Sequence, residues 1–350
     1  MKHDPTGSAD PIDAHPRARL AHLPTPIINV AALDRRLGCE LWIKRDDCTG
    51  GAESGNKLRK LELLLARAIA DRCDTVLTCG GLQSNHARAT ALACARLGLR
   101  CVLFLRMADP SEPLPLTGNV LLDRFAGAEI RRISVEQYRD RDALMANAAR
   151  GLELRGARPF VVPEGGSNGL GALGYVLAMR EVRRQLDLGL TSIARSRDGD
   201  RRFDVIAHAC GSGGTAAGVA LGAARHDVAR DVRTFAVCDD TAYFTAKIRG
   251  IIDEARTICP GLPTDPPFLV DDQAKGPAYA VATGEQRAFI VDVARASGLV
   301  LDPVYTGKAL FGLAQAVRRG DIRFGARVLF LHTGGLPGLL ADPEPFRALV

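Results

Sequence analysis

The feature that most constrains this chain is an alternation. Short apolar or β-branched runs recur at Glu40–Lys44, Thr75–Cys79, Arg100–Leu105, Glu129–Ile133, Pro159–Val162, Phe203–Ala209, Arg233–Val237 and Arg327–Leu331. Between them lie Ala/Leu-rich stretches with helical spacing, such as Leu58, Leu61, Leu65 and Ile69. Strand and helix in turn imply right-handed crossovers and parallel sheets, an α/β fold. No repeat at a fixed period breaks this order. Residues 192–202 (SIARSRDGDRR) read as a loop between a helix and a strand. Residues 1–16, with three prolines and no apolar stretch, read as a disordered tail without a secretory signal.

Composition narrows the class. The chain has 350 residues, 47% of them hydrophobic and 25% charged, which is enough for one large core or two ordinary ones and excludes a disordered protein. The net charge of +6 is spread along the chain rather than gathered in a basic stripe, so no nucleic-acid partner is expected. No apolar run approaches the roughly 18–20 residues needed to span a bilayer, so no membrane span is expected. Nine cysteines without a C-x-x-C pair suit reduced thiols and a cytoplasmic location.

Five segments share one form, a strand running into a Gly- or Ser-rich turn. They are TGGAESGNKLRKLE (49–62), TCGGLQSNHAR (78–88), PEGGSNGLGALGY (163–175), ACGSGGTAAG (209–218) and LHTGGLPG (331–338). In an open parallel sheet such turns gather at the carboxyl ends of the strands, where ligands bind. Glycine lets the backbone approach an anion, and a helix start offers free N–H groups. Together they suggest a site for a phosphorylated or carboxylated ligand.

Lys57 begins an amphipathic helix with Arg59 and Lys60 close behind. A helix start and neighbouring cations both disfavour an ammonium ion, which points to a nucleophilic amine suited to a Schiff base. The local alternative is a solvated lysine. Gly211, Ser212, Gly213, Gly214 and Thr215 follow an apolar strand and suit a phosphate. Gly211, Gly213 and Ala216 also fit G-x-G-x-x-A, with Asp239 and Asp240 after a later strand, as in a nicotinamide-dependent dehydrogenase. Ser84 and Asn85 suit either an N-cap or a hold on a substrate carboxylate or an aromatic oxygen, and His86 suits a structural histidine beside them. No metal motif is present.

Taken together, HLPTP (22–26), LWIKRDDCTG (41–50), SGNKLRKLE (54–62), QSNHAR (83–88), the GSGGT turn, LDPVYTGKA (301–309) and HTGG (332–335) resemble one family. It is the pyridoxal 5′-phosphate (PLP) family of D-cysteine desulfhydrase, 1-aminocyclopropane-1-carboxylate (ACC) deaminase and L-cysteate sulfo-lyase. The resemblance runs over about residues 20–340. It implies the two-domain tryptophan-synthase-β-like fold (fold type II), with residues 17–61 and 176–350 in a larger PLP-binding domain and 62–175 in a smaller inserted one. It also implies a homodimer.

By the same resemblance Lys57 carries the cofactor as a Schiff base, and Lys60 with Ser212–Thr215 holds its phosphate. Asn85 meets the phenolic oxygen and Thr333 faces the pyridine nitrogen. Ser84, Asn85 and His86 face the substrate. Ser84, Tyr305 and Tyr279 join Lys57 in acid–base work. Two departures stand out. GGAESGNK precedes Lys57 where many relatives carry two glycines and no serine, and Ala278-Tyr279-Ala280 replaces glycine, tyrosine, glycine. ACC deaminases place a glutamate after the tyrosine, and here that position is Thr306. A neutral hydroxyl supports a protonated ring nitrogen far less than a carboxylate, which favours β-elimination on a small β-substituted amino acid, D-cysteine or L-cysteate, over ACC deamination.

Overall fold

The computed structural model describes residues 10–189 and 202–350. Among them, ten strands form two sheets. The strands are β1 (Ile27–Asn29), β2 (Glu40–Lys44), β3 (Thr75–Gly81), β4 (Arg100–Met107), β5 (Glu129–Ser134), β6 (Pro159–Val161), β7 (Phe203–Cys210), β8 (Ala229–Ala236), β9 (Leu269–Asp271) and β10 (Arg327–Leu331). Six of them run in the order β1-β2-β10-β7-β8-β9, all parallel except β1 against β2. The other four, β5-β4-β3-β6, are wholly parallel.

Eight of these strands coincide with runs read from the sequence, and two do not. β1 and β9 have three residues each, too short to show a period of two. β8 begins four residues earlier than its apolar run. Arg230, Asp231 and Arg233 hide its start, although Arg233 and Asp231 simply pair with each other along the strand at 2.8 Å. The stretch 192–201 lies outside the described residues, as do residues 1–9 of the expected tail. The rest of that tail is not disordered. Pro11–Ala14 form a 3-10 turn capped by Asp10, and Ile12 is buried against the helix Gly169–Asp187.

Two helices join the sheets. Lys57–Ala70 buries Leu58, Leu61, Leu64 and Leu65 beside the four-stranded sheet, while Leu63 packs with Leu173 and Val176 of Gly169–Asp187. Their close approach needs glycine: a Cβ on Gly174 would overlap the Arg59 carbonyl. The turns after β3, β6, β7 and β10 then face one another from the carboxyl ends of both sheets, and the cleft lies among them.

Candidate active site

The cleft encloses about 670 Å3, including space open to solvent, and four of the five Gly-rich turns supply most of its wall, with the 163–168 turn giving Glu164 and Gly165. Lys57 lines it from the first turn of its helix. The loop before it is stapled. Thr49 Oγ1 donates to the Gly55 carbonyl at 2.9 Å and accepts the Gly55 N–H at 2.8 Å. Gly55 sits at φ +129°, where a Cβ would press to 3.0 Å from the Thr333 carbonyl, which accepts the Asn56 N–H at 3.2 Å. The amine is thus tied to the end of β10.

Burial pushes the Lys57 amine down to about 8, only partly offset by Cys210 and Glu164. The direction expected from the sequence holds, but the cause differs. Arg59 is neutralised elsewhere, donating to Asp46 at 2.8 Å and to Glu181 at 3.0 Å. It is desolvation that lowers the Lys57 amine.

The Gly211–Thr215 turn opens the helix Gly214–His226, with Gly213 at φ +85°. Gly211, Ser212, Gly213, Thr215 and Ala216 line the cleft. The first N–H groups of a helix lack intrahelical acceptors. That of Gly214 is taken by Ser167 Oγ at 3.2 Å, and Ser167 also meets Ser212 Oγ at 2.8 Å. Lys60 lies behind the turn rather than in the cleft wall. Its Nζ donates to the Gly165 carbonyl at 3.1 Å and to Ser167 Oγ at 3.3 Å, 3.0 Å from where a Cβ on Gly214 would stand. Burial holds its pKa well below the lysine range, and the nearby Lys57 charge adds to this.

After β3, Ser84 caps the helix Asn85–Leu97 by accepting the Ala87 N–H at 3.2 Å, and still lines the cleft. Asn85 lines it too. His86 is a fixed neutral histidine. Thr78 Oγ1 spends its only proton on the Val162 carbonyl at 2.8 Å, so His86 Nε2 must donate to it at 2.9 Å. Its Nδ1 then carries a lone pair with no partner among the described residues, and burial holds its pKa well below the usual value.

Tyr279 and Tyr305 close the opposite wall, their hydroxyls 2.6 Å apart and their rings edge to face. Tyr305 packs against Gly211, where a Cβ would come to 2.9 Å from its ring. The departure at 278–280 therefore does not remove Tyr279 from the site. Ala280 takes φ +63°, which explains why glycine is natural there. The Thr333 hydroxyl faces the cleft with no hydrogen-bond partner among the described residues. Thr306 does not line the cleft. Its hydroxyl donates to Asp302 Oδ1 at 2.6 Å inside the cap of the helix Thr306–Arg319. Asp239 and Asp240 are exposed and outside the cleft, and Asp240 caps the next helix through the Tyr243 N–H at 2.8 Å. The acid that a dinucleotide reading needs is thus elsewhere.

Three contributors were missed. Asn56 Nδ2 donates to Thr215 Oγ1 at 3.1 Å, Ser167 braces the glycine turn, and Glu164 lines the cleft, gripped by Tyr138 at 2.6 Å and Arg141 at 3.1 Å. Glu164 and Ser167 sit in the third Gly-rich turn and Asn56 in the first, so the sequence did mark their neighbourhoods.

Comparison with known proteins now decides the family. The model of the pyridoxal-phosphate dependent enzymes matches residues 18–334. The chain belongs to that family. It is 43% identical to a mitochondrial bifunctional D-cysteine desulfhydrase/ACC deaminase of Arabidopsis thaliana, over 95% of this chain and 81% of the relative. It is 38% identical to a D-cysteine desulfhydrase of Serratia proteamaculans, over 93% and 96%. Among solved structures it resembles an ACC deaminase homologue with a TM-score of 0.85 and 34% identity, over 97% and 98%. The cleft fits the family's cofactor. It offers the buried Lys57 amine, open N–H groups at a helix start and the buried Lys60 amine behind them, neither lysine with a carboxylate partner among the described residues, which suits an aldehyde bearing a phosphate.

Proposed function

We propose that this chain performs β-elimination on a small β-substituted amino acid, in the manner of a D-cysteine desulfhydrase, giving pyruvate, ammonia and sulfide. One juxtaposition carries the reading: a buried lysine amine with a lowered pKa and a hydrogen-bonded tyrosine pair share a single cleft. PLP, when bound, supplies the electron sink that acidifies the substrate's Cα–H. Lys57 takes that proton, since its amine is largely deprotonated above about pH 8. Tyr305, whose own pKa burial holds well above the usual value, keeps its proton and delivers it to the departing sulfur, with Tyr279 fixing its hydroxyl. Ser84 orients the substrate carboxylate from the β3 side, and Asn85 beside it meets the cofactor's phenolic oxygen.

The cleft wall also includes Thr333, a neutral hydroxyl. The one carboxylate in its wall among the described residues, Glu164, is already held by Tyr138 and Arg141. That lack of a free carboxylate favours elimination over ring opening. ACC deamination remains the second reading because relatives bear that name. L-cysteate would enter the same cleft with sulfite as the leaving group.

The proposal includes a homodimer in the cytoplasm. Among the described residues no helix is long and apolar enough to cross a membrane. It also includes a division at residues 17–61 with 176–350 and 62–175. The two sheets support that division, though its bounds cut near or within the two joining helices. Pyruvate or α-ketobutyrate release from D-cysteine, L-cysteine, L-cysteate, β-chloro-D-alanine and ACC tests the reading. D-cysteine should give the highest kcat/KM, and turnover of ACC alone would overturn it.

A further inference from the structure

Asn85 is oriented from behind by two buried side chains that line no part of the cleft. Asn119 is fully buried and Arg88 nearly so. Arg88 Nε donates to Asn119 Oδ1 at 2.7 Å, and Asn119 Nδ2 donates to the Gln83 carbonyl at 2.9 Å and to Asn85 Oδ1 at 3.2 Å. Polarity here follows from chemistry. A guanidinium has only donors, so the Asn119 atom facing it must be oxygen. The Gln83 carbonyl can only accept, which independently turns the Asn119 NH2 the same way. Asn85 must then face Asn119 with its own oxygen, and its NH2 is left for the cleft. No other partner holds that NH2 among the described residues. Arg88 does a second thing. Its Nη atoms grip the Ala52 carbonyl and, at 2.9 Å, the Ser54 carbonyl, so the same guanidinium holds the loop leading into Lys57.

We propose that Asn119, polarised by Arg88, is a positioning residue that compels Asn85 to offer N–H rather than oxygen to a negatively charged ring oxygen of the cofactor. This rests on the PLP reading above. Asn119→Asp tests it, because the substitution changes polarity while nearly preserving shape. One carboxylate oxygen still accepts from Arg88. The other confronts Asn85 Oδ1, so Asn85 turns and presents its oxygen to the cleft. Asn119→Ala leaves room for water, which serves either polarity, and controls for lost packing.

Titration of PLP into the apo forms should give about 10-fold weaker binding in N119D and a smaller loss in N119A. The midpoint of the pH-dependent change in the bound cofactor's absorption should move upward in the same order, because an anionic oxygen has lost a donor. Apo melting temperatures identify variants that remain folded. Wild-type affinity and midpoint in N119D, or a larger loss in N119A than in N119D, overturns the proposal. Should N119D not fold, N119A with unchanged affinity and midpoint overturns it equally. Wild-type protein that takes up no PLP would instead sink the cofactor reading itself.

Discussion

Lys57, Arg59 and Lys60 lie within one turn of the same helix and have opposite surroundings. Arg59 is locked into a buried network: Asp46 and Glu181 accept from it, Lys44 joins Glu181 at 2.5 Å, and Tyr175 donates to Asp46 at 2.6 Å. Its pKa is raised well above the usual value by those charges despite burial. Lys57 and Lys60 are desolvated without a carboxylate partner, and both are lowered. Burying charge is costly either way. In the network the protein supplies the counter-charge itself, while at the cleft it withholds it and leaves the place for a ligand.

Breaking the two regions should therefore have different consequences. Arg59→Met leaves buried Asp46 without its ion-pair partner and Glu181 with Lys44 alone, and should cost about 3–5 kcal/mol in chemical denaturation. Lys60→Met removes a buried amine that has no counter-charge, so apo stability should hold or rise while PLP affinity falls about 10–100-fold. A loss of apo stability in Lys60→Met comparable to that of Arg59→Met would erase the contrast. Asp123 sharpens it as a mirror image: a buried carboxylate whose two oxygens have no hydrogen-bond partner among the described residues and whose pKa burial raises to about 7 against the opposing charge of Arg88. A raised carboxyl pKa means the folded state binds more protons between about pH 4 and 7, so stability falls as pH rises through that window and levels off above it. Asp123→Asn removes this slope. It should match wild type near pH 4 and exceed it by about 1–3 kcal/mol at pH 8. Equal stabilities at pH 8 would contradict an uncompensated charge there.

The line between legible and illegible features follows the same physics. Long apolar strands such as β7 and the stapled lysine loop announce themselves through composition and glycine. The ordered motifs led to Lys57, Asn85 and Thr333, which the structure gathers in one cleft. Tyr279 was in doubt because its flanking alanines differ from those of relatives, and only the backbone at Ala280 shows how the turn survives. The resemblance has Lys60 hold the phosphate, and in the structure its amine lies behind Ser167 and the glycine turn. Partners such as Asn119 and Arg88, 31 residues apart, are invisible locally because the contact exists only after two helices pack. Thr306 shows the reverse: its position marks it as ring-facing, but Asp302 captures the hydroxyl.

The central claim concerns one amine. Borohydride reduction of the PLP-loaded protein, followed by proteolysis and mass spectrometry, should place the reduced pyridoxyl-phosphate mass on the peptide bearing Lys57. Lys57→Ala should carry none and fall to background turnover. A label on a different lysine, or full activity in Lys57→Ala, would contradict the account.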